Sequence, residues 1–240
     1  LIRFTMSPSK DFETVTIGDA RALILQGGPR AVVVLQEWWG VNDVVKAHAV
    51  RLHELGYTVC IPDLYKGKLG VDVEEAHHLM SNLDWPAATI EITDCVSYLK
   101  ISLEATSVGV IGFCMGGALA LVAAQKAGVE ACVSFYGVPG ADACDLSAIK
   151  IPVQAHFGDK DNLAGFSDPE AAKKLSEALS GENQNVLTYE GVGHAFMNTT
   201  PDPYPDFEAR EKTQGFPVLD EKAVALAWDR VKTFFDSTLT

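Results

Sequence analysis

A glycine-flanked cysteine at the junction of two apolar segments constrains this chain more than any other feature. Gly112-Phe113-Cys114-Met115-Gly116-Gly117 follows Ser107-Val108-Gly109-Val110-Ile111, an apolar run that reads as a buried strand. It precedes Ala118-Leu119-Ala120-Leu121-Val122-Ala123-Ala124, which reads as a helix. A strand that turns at once into a helix, with a reactive side chain at the apex, is the context of a G-x-nucleophile-x-G elbow. The backbone at such an apex is strained, so the residues two before and two after must be small, and here both are glycine. The apex carries a thiol rather than a hydroxyl, which points to covalent catalysis by cysteine.

Composition narrows the setting of that elbow. The 240 residues are enough for one sizeable core, and 48% hydrophobic with 21% charged residues is ordinary for a globular enzyme. A net charge of -13 argues against nucleic-acid partners, which need a basic face, and against attachment to an anionic membrane surface. No stretch reaches the roughly 18 apolar residues of a membrane span. Leu1-Ile2-Arg3-Phe4-Thr5-Met6-Ser7-Pro8 lacks the apolar centre of a signal peptide and has no initiator Met, so its start reads as processed. The five cysteines (Cys60, Cys95, Cys114, Cys132, Cys144) form no C-x-x-C pair and have no zinc-finger partners. Free thiols in a reducing, cytoplasmic setting are expected.

The rest of the chain alternates strand and helix. Residues 13–17 and 20–25 read as two strands joined through Gly18-Asp19, a hairpin signal. Residues 31–35 form a continuous apolar run typical of a strand covered on both faces. Asn42 is placed to cap a helix over 43–55 that Gly56 ends. A strand over 58–62, a polar loop over 64–70 and helices over 73–80 and 87–100 follow. Beyond the elbow come strands over 131–136 and 153–157, a helix over 169–179, a strand over 186–189 and an amphipathic helix over 220–235. With no repeat or linker, one α/β domain over 1–240 is expected, a mostly parallel sheet with helices on both faces and an N-terminal antiparallel hairpin.

A nucleophilic cysteine needs a base and an orienting group behind it. In open α/β sheets such groups lie beyond the C-terminal strand ends. His194, in Gly191-Val192-Gly193-His194-Ala195-Phe196, follows the last expected strand. Asp161 follows the strand over 153–157 in Gly158-Asp159-Lys160-Asp161. Asp159 competes for the acid role, but its place directly after Gly158 suits a turn. The order nucleophile, acid, histidine is that of the α/β-hydrolase triad. His156 reads as a strand residue, His53, His77 and His78 as helical, and His48 as surface-patterned.

Leu35-Gln36-Glu37-Trp38-Trp39-Gly40 begins where the third strand ends, on the edge of the sheet that carries the elbow. The backbone amides of Trp38 and Met115 are therefore the expected oxyanion donors. Glu37 is unusual there, because a carboxylate beside a thiol favours its protonated, inert form.

These segments, with Pro62-Asp63-Leu64-Tyr65, Phe135-Tyr136-Gly137 and Ala227-Trp228-Asp229-Arg230, together resemble the dienelactone hydrolase family over nearly the whole chain. That family, whose members include carboxymethylenebutenolidases, is a branch of the α/β-hydrolases with a cysteine nucleophile. The resemblance implies a Cys114–Asp161–His194 triad, a Glu37 that contacts the resting thiol until substrate binds, and hydrolysis of a small ester or lactone. It implies no metal or organic cofactor. Members acting on dienelactone hold its carboxylate with arginines, and this chain has Asn198 and Val73 at those positions. Arg210, the one nearby arginine after His194, reads as a solvated helix residue. Trp38, Trp39, Phe113, Tyr136 and Phe196 suggest an aromatic substrate pocket that Asn198 also lines, with a core role the alternative for Phe113. A monomer or small homo-oligomer is expected. A glutamine amidotransferase also uses G-x-C-x-G but needs a Glu two residues after its histidine, where this chain has Phe196. A non-catalytic binding protein or a thiol redox sensor on the same fold remains the alternative.

Overall fold

The computed structural model describes residues 11–214 and 219–240, so the expectation for residues 1–8 lies outside the described residues. Eight strands form one sheet: β1 (Glu13–Ile17), β2 (Ala20–Leu25), β3 (Arg30–Leu35), β4 (Thr58–Pro62), β5 (Ser107–Phe113), β6 (Ala131–Phe135), β7 (Val153–Gly158) and β8 (Gln184–Tyr189). Their spatial order is β1-β2-β4-β3-β5-β6-β7-β8. The β1–β2 hairpin turns at Gly18 (φ 58°) and joins β4 antiparallel, and every later pair is parallel.

The helices are α1 (Asp43–Glu54), α2 (Val73–Ser81), α3 (Trp85–Ile101), α4 (Met115–Lys126), α5 (Pro169–Ala178), α6 (Phe207–Gln214) and α7 (Glu221–Thr238). Asn42 caps α1 through a bond from the Val45 amide to its side chain, as its place before the helix suggested. Leu99 of α3, Leu121 of α4 and Leu175 of α5 join the core on one face of the sheet. Leu52 of α1 and Val231 of α7 join the core on the other. Both faces of the central strands are therefore covered. All seven residues of β5 are buried, which is why it reads as an uninterrupted apolar run rather than an alternating one. α4 is buried from Met115 to Ala124 and correspondingly shows no polar stripe. Among the described residues no helix is long and apolar enough to cross a membrane.

α6 had no counterpart in the sequence pattern, because it carries no apolar stripe and the residue it buries is the charged Arg210. The fold positions a site through a switch in strand order. β3 pairs with β4 on one side and β5 on the other, and Leu35 lies opposite Gly112 in the β3–β5 register. The chain leaving β3 and the chain leaving β5 thus emerge side by side, the crevice where α/β sheets take ligands.

Candidate active site

Cys114 stands directly after β5 at φ 55° and ψ -119°, a conformation that side-chain-bearing residues adopt only when their surroundings impose it. Its N–H donates to Phe135 O at 3.0 Å, and its carbonyl accepts from the Gly117 and Ala118 amides at 2.8 and 3.1 Å. The apex is thereby fixed from β6 on one side and from the first turn of α4 on the other. The flanking glycines allow the approach. A Cβ on Gly112 would lie 1.9 Å from Gly116 O, and one on Gly116 would lie 2.5 Å from both Leu35 O and Gln36 O. A Cβ on Gly137 would lie 2.2 Å from Cys114 O. Cys114 is buried, with 8% of its surface left exposed.

The same close approach sets the end of β3 against the start of α4. Gly40 N–H closes a turn onto Glu37 O at 3.1 Å, with Trp38 and Trp39 at its centre. Met115 is the first residue of α4, where amides have no intrahelical acceptor and face the positive end of the helix dipole. The Trp38 and Met115 amides thus belong to neighbouring segments beside the thiol.

His194, in the loop after β8, is the hub. Its Nδ1 lies 2.8 Å from Asp161 Oδ2, with both side chains almost wholly enclosed. Ser167 Oγ, fully buried, lies 3.1 Å from the same nitrogen. Asp161 Oδ1 accepts from the Leu163 amide at 3.1 Å, so the carboxylate is itself held. Because Asp161 accepts at Nδ1, that nitrogen carries a proton in either charge state, and Nε2 is the one that gains or gives up the second. Burial disfavours the imidazolium, yet the charge of Cys114, hydrogen bonds to Asp161 and Cys114 and the charge of Asp161 outweigh it, and the His194 pKa is pushed up to about 10. Asp159 does something else: its Oδ1 accepts the Gly191 amide at 2.7 Å and shapes the turn after β8.

The Glu37 carboxylate is held by two side chains: Tyr136 donates its hydroxyl to Oε1 at 3.4 Å, and Asn198 donates Nδ2 to Oε2 at 3.0 Å. Burial raises the Glu37 pKa, opposed by the Asn198 bond, by the charges of His194 and Arg210 and by Tyr136. Asn198 therefore spends its donor on Glu37 instead of on an open pocket wall. His48, expected at the surface, is buried and stacks 4.1 Å from Phe113. Burial pushes its pKa down to about 4, so it is neutral near pH 7.

The aromatic residues divide. Phe113 is core, stacked between His48 and Phe135 at 4.1 and 5.0 Å. Phe196 is also fully enclosed, packed 5.6 Å from Tyr136 and 5.1 Å from Tyr189, so it backs the site rather than facing substrate. Tyr136, at φ 39°, sets its ring edge-on to His194 at 5.0 Å. Trp39 is covered, with Tyr204 packed edge-on at 5.9 Å, whereas Trp38 keeps partial exposure. Three further residues escaped the sequence reading. Ser167 carried no signal, being a lone polar residue far from His194 in sequence. Arg210, read as solvated, is buried and donates to Ala195 O at 2.7 Å. Tyr65 directs its hydroxyl at Met115 Sδ, 3.4 Å away, where it also senses the charge of Cys114. Among the described residues no group of three or more His, Cys, Asp or Glu side chains is arranged to hold a metal ion.

The chain is similar to known proteins over most of its length. The model of the dienelactone hydrolase family matches residues 21–239. Protein usf of Aquifex pyrophilus is 32% identical over 228 residues, covering 89% of this chain and 90% of that protein. Carboxymethylenebutenolidase of Pseudomonas putida is 28% identical over 186 residues, covering 72% and 77%. Among solved structures m3DLH superposes with a TM-score of 0.75 at 22% identity, covering 96% of this chain and 98% of the other. An elbow with glycines on both sides, a histidine after β8, an acid after β7 and a family match over almost the whole length lead to one statement: this chain belongs to the dienelactone hydrolase family.

Proposed function

We propose that this chain, a hydrolase of small lactones or esters by family, cleaves its substrate through a thioester on Cys114. His194 Nε2 takes the thiol proton and the sulfur attacks the carbonyl carbon. The carbonyl oxygen becomes an oxyanion, stabilised by the Trp38 and Met115 amides, and each such donor is worth about 3 kcal/mol. The tetrahedral intermediate collapses, His194 returns the proton to the departing alkoxide, and the acyl group stays on sulfur. Water then attacks the thioester with His194 as base, and collapse frees the acid and the thiol. Asp161 keeps the His194 proton on Nδ1 throughout.

The observation that carries this reading is the 2.8 Å Asp161–His194 bond in a loop that reaches the elbow cysteine. The chemistry needs no metal or organic cofactor, and one domain supplies every group. All five cysteines are free thiols, which fits a reducing cytoplasm. Asn198, engaged by Glu37, and Val73 leave a substrate carboxylate without the arginines that family members use, which favours uncharged esters and lactones. The test is a panel of short aryl esters and lactones, with and without a carboxylate, on the wild type and Cys114→Ala. The expected result is turnover of uncharged members that Cys114→Ala abolishes. Wild-type rates in Cys114→Ala would overturn the mechanism, and faster turnover of the carboxylates would overturn the substrate class.

A further inference from the structure

A buried guanidinium is costly unless its donors are met, and Arg210 heads the largest fully enclosed side chains of this chain. Its donors go mostly to the main chain of one short stretch. Nη2 donates to Ala195 O at 2.7 Å, and Nη1 donates to Asn198 O at 3.0 Å and Thr200 O at 3.4 Å. Nε donates to Gln214 Oε1 at 3.3 Å, one turn further along α6.

That stretch begins at the residue after His194. Ala195 sits at φ 56°, a left-handed conformation that costs energy for a residue with a Cβ and persists only where neighbours impose it. Its carbonyl receives both Arg210 and the Asn198 amide, the latter at 3.0 Å. The turn that presents His194 and Asn198 is thus held from behind by α6. The charge of Arg210 also reaches Glu37, where it opposes the effect of burial on the carboxylate, and Glu37 in return favours the guanidinium. The other groups facing Glu37 are His194, Tyr136 and Asn198, and Arg210 also faces Tyr136 and Tyr204.

We propose that Arg210 is a positioning residue of this site: it clamps the loop that presents His194 and Asn198, and it adds to His194 a second positive charge that Glu37 faces. The proposal rests on reading Cys114 and His194 as nucleophile and base.

Arg210→Met, Arg210→Lys and Gln214→Ala test it through kcat, KM and the pH profile on an uncharged aryl ester, the rate of Cys114 alkylation by iodoacetamide, and thermal melting. Arg210→Met should lower kcat roughly ten- to hundredfold with little change in KM, the scale expected of a base displaced by about 1 Å. Its acidic limb should move to higher pH, because Glu37, left with His194 as its facing cation, binds a proton more readily, and alkylation should shift with it. Arg210→Lys should restore the limb but not kcat, since a point charge cannot span several carbonyls. Gln214→Ala, which removes the Nε acceptor and a contact with Tyr204 but keeps the charge of Arg210, should lower kcat severalfold and leave the limb in place. It is also the variant to read if Arg210→Met does not fold. Wild-type kcat in both Arg210→Lys and Gln214→Ala would overturn the proposal. So would an Arg210→Met protein that melts earlier but keeps its kcat and pH limb. If the wild type hydrolyses no ester, the functional reading falls by itself and alkylation decides: a displaced pH profile in Arg210→Met supports the clamp, and an unchanged one overturns it.

Discussion

Gly116→Ala is the sharpest test of why the elbow is built from glycine. The new Cβ would lie 2.5 Å from two backbone oxygens, Leu35 O and Gln36 O, about 0.9 Å inside the 3.4 Å of ordinary contact. Neither oxygen belongs to a flexible side chain, so α4 and the end of β3 must separate. That separation moves the Met115 amide, at the start of α4, away from the Trp38 amide, two residues beyond Gln36. Displacements of about 1 Å at a reacting centre cost roughly a hundredfold in rate. Overpacking of this kind also costs about 1–3 kcal/mol of stability. In a chain of this length each kcal/mol lowers the melting temperature by roughly 2–4 °C. The opposing effect is small: alanine in a helix is favoured over glycine by about 1 kcal/mol at most. The assay pairs kcat/KM on an uncharged aryl ester with calorimetric melting of the same preparation. A fall in both is expected. A variant that melts higher than wild type and keeps its rate would mean that the contact between β3 and α4 is not what fixes the oxyanion donors.

Two other changes bear on His194. Asp161→Asn should lower kcat by roughly 10³–10⁴, because the amide cannot hold the proton on Nδ1. Asp159→Asn should change it far less, and comparable losses in the two variants would contradict the assignment. For pH, the folded pKa of His194 lies above its ordinary 6.5, so its contribution to stability is complete below that value and is lost as pH rises through about 10. Melting curves of the wild type and His194→Gln should therefore converge across that window, and parallel curves would refute the charge pairing.

The parts of the molecule that the sequence revealed are those set by local chemistry. The glycines around Cys114 are visible because a Cβ at Gly112 or Gly116 would come within 2.5 Å of a backbone oxygen, which excludes every other residue. The β5 run is visible because both its faces are covered. His48 could have been read correctly: it shares the spacing of Val44, Val45, Ala49 and Leu52 on the buried face of α1. Other features depend on contacts between distant segments. Asp159 and Asp161 look alike until Gly191 claims one and His194 the other. Arg210 lies on a helix with no apolar stripe, and carbonyls of a separate loop bury it. The partners that hold Glu37, Tyr136 and Asn198, lie about a hundred and more residues away and left no mark on the local sequence.

The central claim is a covalent intermediate on one sulfur. Rapid quenching of the protein with an uncharged activated aryl ester, followed by intact-mass measurement and peptide mapping, tests it most directly. The account requires a mass gain of one acyl group, located on the peptide that carries Cys114, formed and lost at rates compatible with turnover, and absent from Cys114→Ala. Turnover with no acylated species under quench, or an acyl group on any other residue, would contradict it.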